Sequence, residues 1–346
     1  MTVDPPPLSA PALLLAYADA QAALARIEER VRLSPVRQPW KTRMALAERQ
    51  ALAAIDAYEL PDEALTIDAR GRVVTGAYDL THWKNAIGTS ITLDALMADP
   101  TALLAWLGAD REPQDARLLG RREAWELVPA IAAWGKACRS LPASPPLLHA
   151  SRIAALWRQL APLARGDVVA SLLIGDRWGP GRWKGSQGGL TALGLKLAGG
   201  RWKIAQGAEL DHLWLGAILA GANAHLELEL RLRAYAQRAA GHIRDRRRTG
   251  RLKELILFAM ARPAITSSQV AKQFGLTSAG AIKLLTTAEA AGLLVERTGQ
   301  ASFRSYMIPV SGAAPSPSPA RASTADLFEP TFWDEAGEIY TSSELL

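Results

Sequence analysis

Residues 251–309 carry turn-forming residues at intervals that leave room for three short helices and one hairpin, and for little else. The spacing predicts a first helix from Arg251 to Arg262, with Leu252, Leu255, Ile256 and Ala259 on one apolar face. Pro263 stops it. A second helix starts at Thr266 or Ser267, either of which can cap the free N–H groups. Its apolar positions are Val270, Ala271 and Phe274. Gly275 then supplies the left-handed turn that a sharp helix exit requires. Leu276 packs inward, and Thr277 or Ser278 caps a third helix whose inner face is Ala281, Ile282, Leu285 and Ala288. Gly292 ends that helix. LLVERTG and QASFRSYMIP alternate as two short strands around Thr298-Gly299.

This order is that of a winged helix-turn-helix, an arrangement that places its recognition helix in the DNA major groove. The exposed start of the third helix would then be Thr277, Ser278, Ala279, Gly280, Lys283 and Thr287. Arg, Asn and Gln, the best readers of base edges, are absent from it. Lys283 suits a phosphate or a guanine, and Ser278 and Thr287 suit weaker contacts. Arg297 and Arg304, on the wing, suit phosphates or a minor groove. Such a surface favours affinity for the backbone over tight sequence specificity. Fold alone does not fix function, and a winged helix also serves as a protein-contact module.

The charge distribution points the same way. The 346-residue chain has a formal net charge of +6, but from Arg231 to Lys253 nine Lys and Arg face one acid, Asp245. Arg244, Arg246, Arg247 and Arg248 form the centre of this run. From Ser311 onward one base, Arg321, faces six acids. A basic run before a helix-turn-helix and an acidic tail after it are the asymmetry expected of a nucleic-acid binder. The bland reading is the solvated end of a long helix with an unrelated tail.

The chain is long enough for two or more domains. Cys138 is the only cysteine, which leaves no intramolecular disulfide and no cysteine-based zinc site. Its helical setting beside Trp134 suits a buried small side chain. The N-terminus MTVDPPPLSAP lacks the basic region of a signal peptide. The longest apolar stretch, Leu213 to Ala222, is too short to span a bilayer. The expectation is a cytoplasmic, nucleoid-associated protein that needs no cofactor or metal and does not engage a membrane.

Four segments follow along the chain. Residues 1–164 are expected to form a helical domain. Its first helix runs from Pro11 to Leu33, with Leu13, Tyr17, Ala20, Leu24, Ile27 and Val31 spaced for a partner helix or for the second subunit of a homodimer. A helix from Trp40 to Tyr58 follows. LTIDARGRVVTG suits a hairpin turning at Arg70-Gly71. Further helices are expected over Leu93–Met97, Pro100–Leu107, Gln114–Arg139 and Ser151–Leu163. Residues 165–250 continue this body with a Gly/Trp-rich loop and a long basic helix, Glu209 to Arg246. Residues 251–310 are the winged helix-turn-helix. Residues 311–346 are a flexible linker and an acidic, aromatic tail. Phe328, Phe332, Trp333, Ile339 and Tyr340 in that tail suit a docking motif for the chain itself, a second subunit, a protein partner or, as a DNA mimic, the basic surface, or a tail with no role. The fold class is therefore mainly α.

Between Gly175 and Gly200, nine glycines and two tryptophans accompany four Lys or Arg. No phosphate-binding fingerprint is met. One reading is a loop whose N–H groups, with Arg177, Arg182 and Lys184, hold an anion or a nucleic-acid backbone, while Trp178 or Trp183 stacks on a base. The other, favoured on composition, is an extended loop that packs its tryptophans over the helical core.

Two stretches, ARIEERVRLSPV and DRWGPGRWKGSQGGL, together with the C-terminal helix-turn-helix, resemble a family often carried on plasmids of rhizobia and their relatives. That family joins a domain of unknown function to a helix-turn-helix DNA-binding domain, and the likeness extends over nearly the whole chain. It implies DNA binding by the C-terminal domain and no established activity for the rest. A weaker likeness is to proteins with the Fic fold, which often pair a helical body with a C-terminal winged helix. Their catalytic loop needs a His, an acid and Gly-Asn-Gly-Arg. None of His82, His149, His212, His225 and His242 precedes a Gly-Asn-Gly, so nucleotidyl transfer has no support.

Other enzyme chemistry lacks a motif. There is no H-E-x-x-H and no G-x-S-x-G. Glu209 and His212 share a helix face, but a metal site built from them needs a second such pair, and none occurs. The sequence therefore predicts a protein that binds double-stranded DNA, as a bacterial transcriptional regulator or a plasmid-maintenance factor. The alternative is an interaction scaffold whose winged helix and tail are contact modules.

Overall fold

The computed structural model describes residues 10–58, 60, 65–67, 73–75, 86, 97–108, 124–163, 167–178, 188–244, 250–298 and 304–309. The chain is mainly helical, with eleven helices among the described residues. Helices α1 (Ala10–Leu33) and α2 (Arg37–Ile55) come first, followed by the paired strands β1 (Leu65–Ile67) and β2 (Val73–Thr75). Then come α3 (Pro100–Leu107), α4 (Ala124–Arg139), α5 (Pro146–Leu160), α6 (Asp167–Trp178), α7 (Leu190–Ala198) and α8 (Gly207–Arg244). The last elements are α9 (Leu252–Met260), β3 (Ile265–Thr266), α10 (Ser267–Phe274), α11 (Ser278–Ala290), β4 (Val295–Glu296) and β5 (Ser305–Met307).

These elements fall into two compact units. The first gathers Met1–Glu29, Met44–Ala64 and Thr75–His225, and the second gathers Arg30–Arg43, Leu65–Val74 and Leu226–Leu346. Helices α1, α2 and α8 thus each give residues to both.

The first unit is built around α6. Residues 169–176 of this helix are all buried, Ser171 and Asp176 among them, as a helix apolar on nearly every side requires. Helix α5 packs along it, burying Ala150, Ile153, Ala154 and Trp157. Trp134 of α4 meets Trp157 edge-on, with ring centroids 5.0 Å apart, and its Nε1 donates to the Ile153 carbonyl. Trp202 lies against Trp214 at 5.2 Å and donates to Ser171 Oγ. Arg158 stacks over Trp202 and donates to the carbonyls of Trp202 and Ala205. Cys138 is buried in this core, and burial pushes its thiol up to about 12, which makes it a poor nucleophile.

The extended loop expected over residues 175–200 gives way to helix at both ends, and its middle, residues 179–187, lies outside the described residues. Gly175 and Asp176 belong to α6, and residues 190–198 are the helix α7. The glycines permit helix contact instead of loop geometry. A Cβ on Gly194 would lie 1.7 Å from the Ala217 carbonyl oxygen, and one on Gly221 would lie 2.4 Å from the Leu190 oxygen. Bare backbones let α7 and α8 touch. A Cβ on Gly175 would lie 2.3 Å from the Trp214 ring, so that glycine makes room for the tryptophan. Buried carboxylates hold the start of α7. Asp176 accepts from the Thr191 N–H and hydroxyl, and Glu48 Oε2 accepts from the Gly189 N–H at 3.0 Å while Oε1 pairs with His225 Nε2 at 3.0 Å.

In the second unit, distant stretches of chain hold the C-terminal helices. Arg43 Nε donates to the Met260 carbonyl at 2.7 Å, and its Nη2 reaches the carbonyls of Arg262 at 2.5 Å and Ala259 at 3.3 Å. A cation thereby satisfies the end of α9, where unpaired carbonyls concentrate negative potential. Ser34 Oγ donates to Glu229 Oε1 at 2.8 Å, and Val36 and Trp40 are buried.

Tyr235 of α8 donates to the Leu293 carbonyl at 2.7 Å, and burial raises its pKa well above the ordinary 10.0. Replacing Tyr235 with Phe leaves that carbonyl unpaired and is expected to cost about 1–2 kcal/mol in urea unfolding. The stability contributed by the neutral hydroxyl is full below pH 10.0 and is lost as pH rises beyond it, because the unfolded chain ionises first. The Phe variant is expected to lack that alkaline loss.

Candidate nucleic-acid interface

The short helices of residues 252–290 form where their local signals place them. Thr266 caps α10 in a capping box, its hydroxyl accepting from the Gln269 N–H and the Gln269 side chain accepting from the Thr266 N–H. Gly275 takes the left-handed conformation at φ 60°, and its neighbour Leu276 bonds back to the Ala271 carbonyl. Thr277 caps α11 by accepting from the Gly280 N–H at 3.1 Å. Gly292, at φ 67°, closes the far end. Val270, Ala281, Leu285, Ala288, Leu293 and Leu294 are buried, as are Leu252, Leu255, Ile256 and Ala259 of α9. Phe258 and Phe274 meet edge-on at 5.7 Å.

The strands add one element that the sequence did not reveal. β3, β5 and β4 form an antiparallel sheet in that order, pairing Ile265 with Tyr306, Thr266 with Ser305, Val295 with Met307 and Glu296 with Tyr306. Ile265 and Thr266 were legible only as a helix entry, because two residues are too few to show an alternating pattern. The strand buries Ile265 completely and ties the start of α10 to the hairpin.

The expected inner face of α11 needs a correction. Ala281, Leu285 and Ala288 are buried, but Ile282 is 51% exposed. The helix packs along one narrow stripe, and position 282 lies about 100° around from 281. The outward surface therefore carries Ser278, Ala279, Ile282, Lys283, Thr286 and Thr287, all exposed. Thr286 Oγ1 donates to the Ile282 carbonyl at 2.6 Å, and Thr287 Oγ1 donates to the Lys283 carbonyl at 2.7 Å. Both hydroxyl protons are thus engaged by the helix itself.

Arg297 and Arg304 flank the hairpin and are exposed. The Arg297 N–H donates to the Ser305 carbonyl at 2.8 Å, which fixes the backbone under its side chain. Arg304 lies 3.7 Å from Glu296, and a hydrogen bond with Tyr306 together with that carboxylate holds its guanidinium more firmly protonated. Arg246, Arg247 and Arg248 lie outside the described residues, as do Arg182, Lys184 and the tail from residue 310. Arg177 falls on the last turn of α6. The described candidates Thr277, Ser278, Lys283 and Thr287 share one helix, and Arg297 and Arg304 belong to the hairpin beside it.

Among the described residues, no group of three or more His, Cys, Asp or Glu is placed to hold a metal ion. No helix among them is long and apolar enough to cross a membrane. Compared with known proteins, the chain matches no family model and no curated sequence.

Proposed function

We propose that residues 251–309 are a winged helix-turn-helix that binds double-stranded DNA, with α11 entering the major groove and the β4–β5 hairpin as the wing. The observation that carries this reading is the α10–Gly275–α11 connection presenting Ser278 and Lys283 outward from one short helix. The basic run through Arg246, Arg247 and Arg248 supplies charge for the phosphates, and Arg297 and Arg304 extend it along the wing. Thr277 acts mainly as the cap that fixes α11, and Thr287 presents its hydroxyl oxygen as an acceptor. In this reading the protein is a bacterial transcriptional regulator or plasmid-maintenance factor associated with the nucleoid, as the resemblance to the rhizobial plasmid-type family implies. The acidic tail is then a contact for a partner or for the basic surface.

Titration of the full chain against a random-sequence duplex across a salt series tests the proposal. About five neutralised phosphates give a slope of log affinity on log salt near −4 to −5. Joint replacement of Arg246, Arg247 and Arg248 by Ala is expected to flatten the slope by about three, and Lys283→Ala by about one. Absence of duplex binding even at low salt overturns the reading and leaves the segment as a protein-contact module.

A further inference from the structure

On the reading of α11 as the helix that enters the groove, we propose that the chain selects thymine through its 5-methyl group, with Ile282 as the principal contact and Ala279 and Thr286 beside it. Residues 279, 282 and 286 follow one another at spacings of three and four, so they form a single ridge along the helix. All three are exposed, and Ile282 is 51% exposed. An isolated exposed isoleucine carries little information. Here it lies at the centre of a face whose two nearest threonine hydroxyls donate to their own helix.

Thr286 and Thr287 donate to carbonyls of their own helix, and Thr277 accepts from its own first turn. That leaves methyl groups and Lys283 as the main features of this surface, with the Ser278 hydroxyl at its edge. The major groove offers one apolar feature, the C5-methyl of thymine, whereas guanine, cytosine and adenine present only hydrogen-bonding groups there. An apolar ridge pressed against those groups would leave them desolvated and unpaired, so its favoured occupant is a run containing thymine. Charge complementarity favours nucleic acid over a protein on this face. From Arg231 to Arg304 fourteen Lys and Arg accompany four acids, and Lys283 lies directly beside the ridge.

The test begins with selection from a pool of randomised 25-base-pair duplexes by the full chain. Each thymine of the recovered sequence is then replaced in turn by deoxyuridine, which removes only the methyl group. At least one replacement is expected to weaken binding about fourfold, the effect of losing one buried methyl contact. Ile282→Ala is expected to erase that thymine–deoxyuridine difference with little change in melting temperature, because about half of the side chain is already exposed. Lys283→Ala should weaken both duplexes alike and preserve the difference. A recovered sequence indifferent to every deoxyuridine replacement overturns the inference, as does retention of duplex without enrichment of any sequence. Both results leave DNA binding standing. Failure to retain any duplex overturns the proposed function and the inference together.

Discussion

Replacing Gly194 with alanine is expected to cost about 3 kcal/mol or more and to be among the most disruptive single-atom additions in the chain. The added carbon would lie 1.7 Å from the Ala217 carbonyl oxygen and 2.4 Å from its carbonyl carbon. Both atoms belong to the backbone of α8, so no side chain can rotate away. The helices must separate, and separation also pulls Gly221 of α8 away from Leu190, which is buried. Gly216, on α8, provides the control. Nothing lies within 4 Å of a Cβ built there, so Gly216→Ala is expected to be neutral or to stabilise by up to about 1 kcal/mol through helix propensity. Urea unfolding followed by tryptophan fluorescence separates the two, since four tryptophans occupy the core that Gly194→Ala disturbs. Equal midpoints for the two variants would sink the close-packing account.

Arg43→Ala is expected to have the second large effect, localised to the C-terminal helices. The guanidinium donates to three carbonyls at the end of α9, and the variant leaves them without that partner. A loss of about 3 kcal/mol follows from charge-assisted hydrogen bonds of this kind. Native-state hydrogen exchange is the suitable measurement, because a chain of two compact units need not unfold in one step. Amides of Leu255 to Met260 should lose about a hundredfold of protection, while those of α6 keep theirs. Arg43→Lys should recover less than half, since an ammonium cannot span the acceptors as a planar fork does. Unchanged protection in the Ala variant would show that the carbonyls are satisfied without Arg43.

Local chemistry was legible in the sequence where a small set of residue types marks an element's end. The Thr266 and Thr277 caps, the left-handed Gly275 and Gly292 and the stop at Pro263 all define element ends by rules that act over four residues. Helices α1, α2, α3, α5 and α8 to α11 were legible for the same reason, within a few residues at most ends, whereas α6 and α7 were not. Glycine misled where its role is tertiary. Counted along the chain, nine glycines in residues 175–200 suggest a loop, but Gly175 and Gly194 sit inside helices because a partner approaches them. Nothing local distinguishes the two uses. Ile282 misled because an apolar residue at near-core spacing reads as core until the width of the packed stripe is known. The Arg43 clamp was invisible for want of any pattern, as its acceptors are backbone atoms more than two hundred residues away. Of the candidate interface, the helix carrying Lys283 and the hairpin carrying Arg297 were legible, and the withdrawal of the threonine donors was not.

The separation of 217 residues between Arg43 and Met260 also sets the order in which the protein can be completed. During synthesis, Arg30–Arg43 leaves the ribosome long before the helices it will join, and must wait unpartnered while the intervening chain emerges. Assembly of the C-terminal unit is therefore slaved to a late, long-range closure, the kind of contact that slows folding. A fragment starting at Arg251 would lack Arg43, Trp40 and Tyr235 together, so the helix-turn-helix is not a cassette that can be cut out and moved. The order of residues 251–309 therefore rests on chain made long before them and is reached only once both are present.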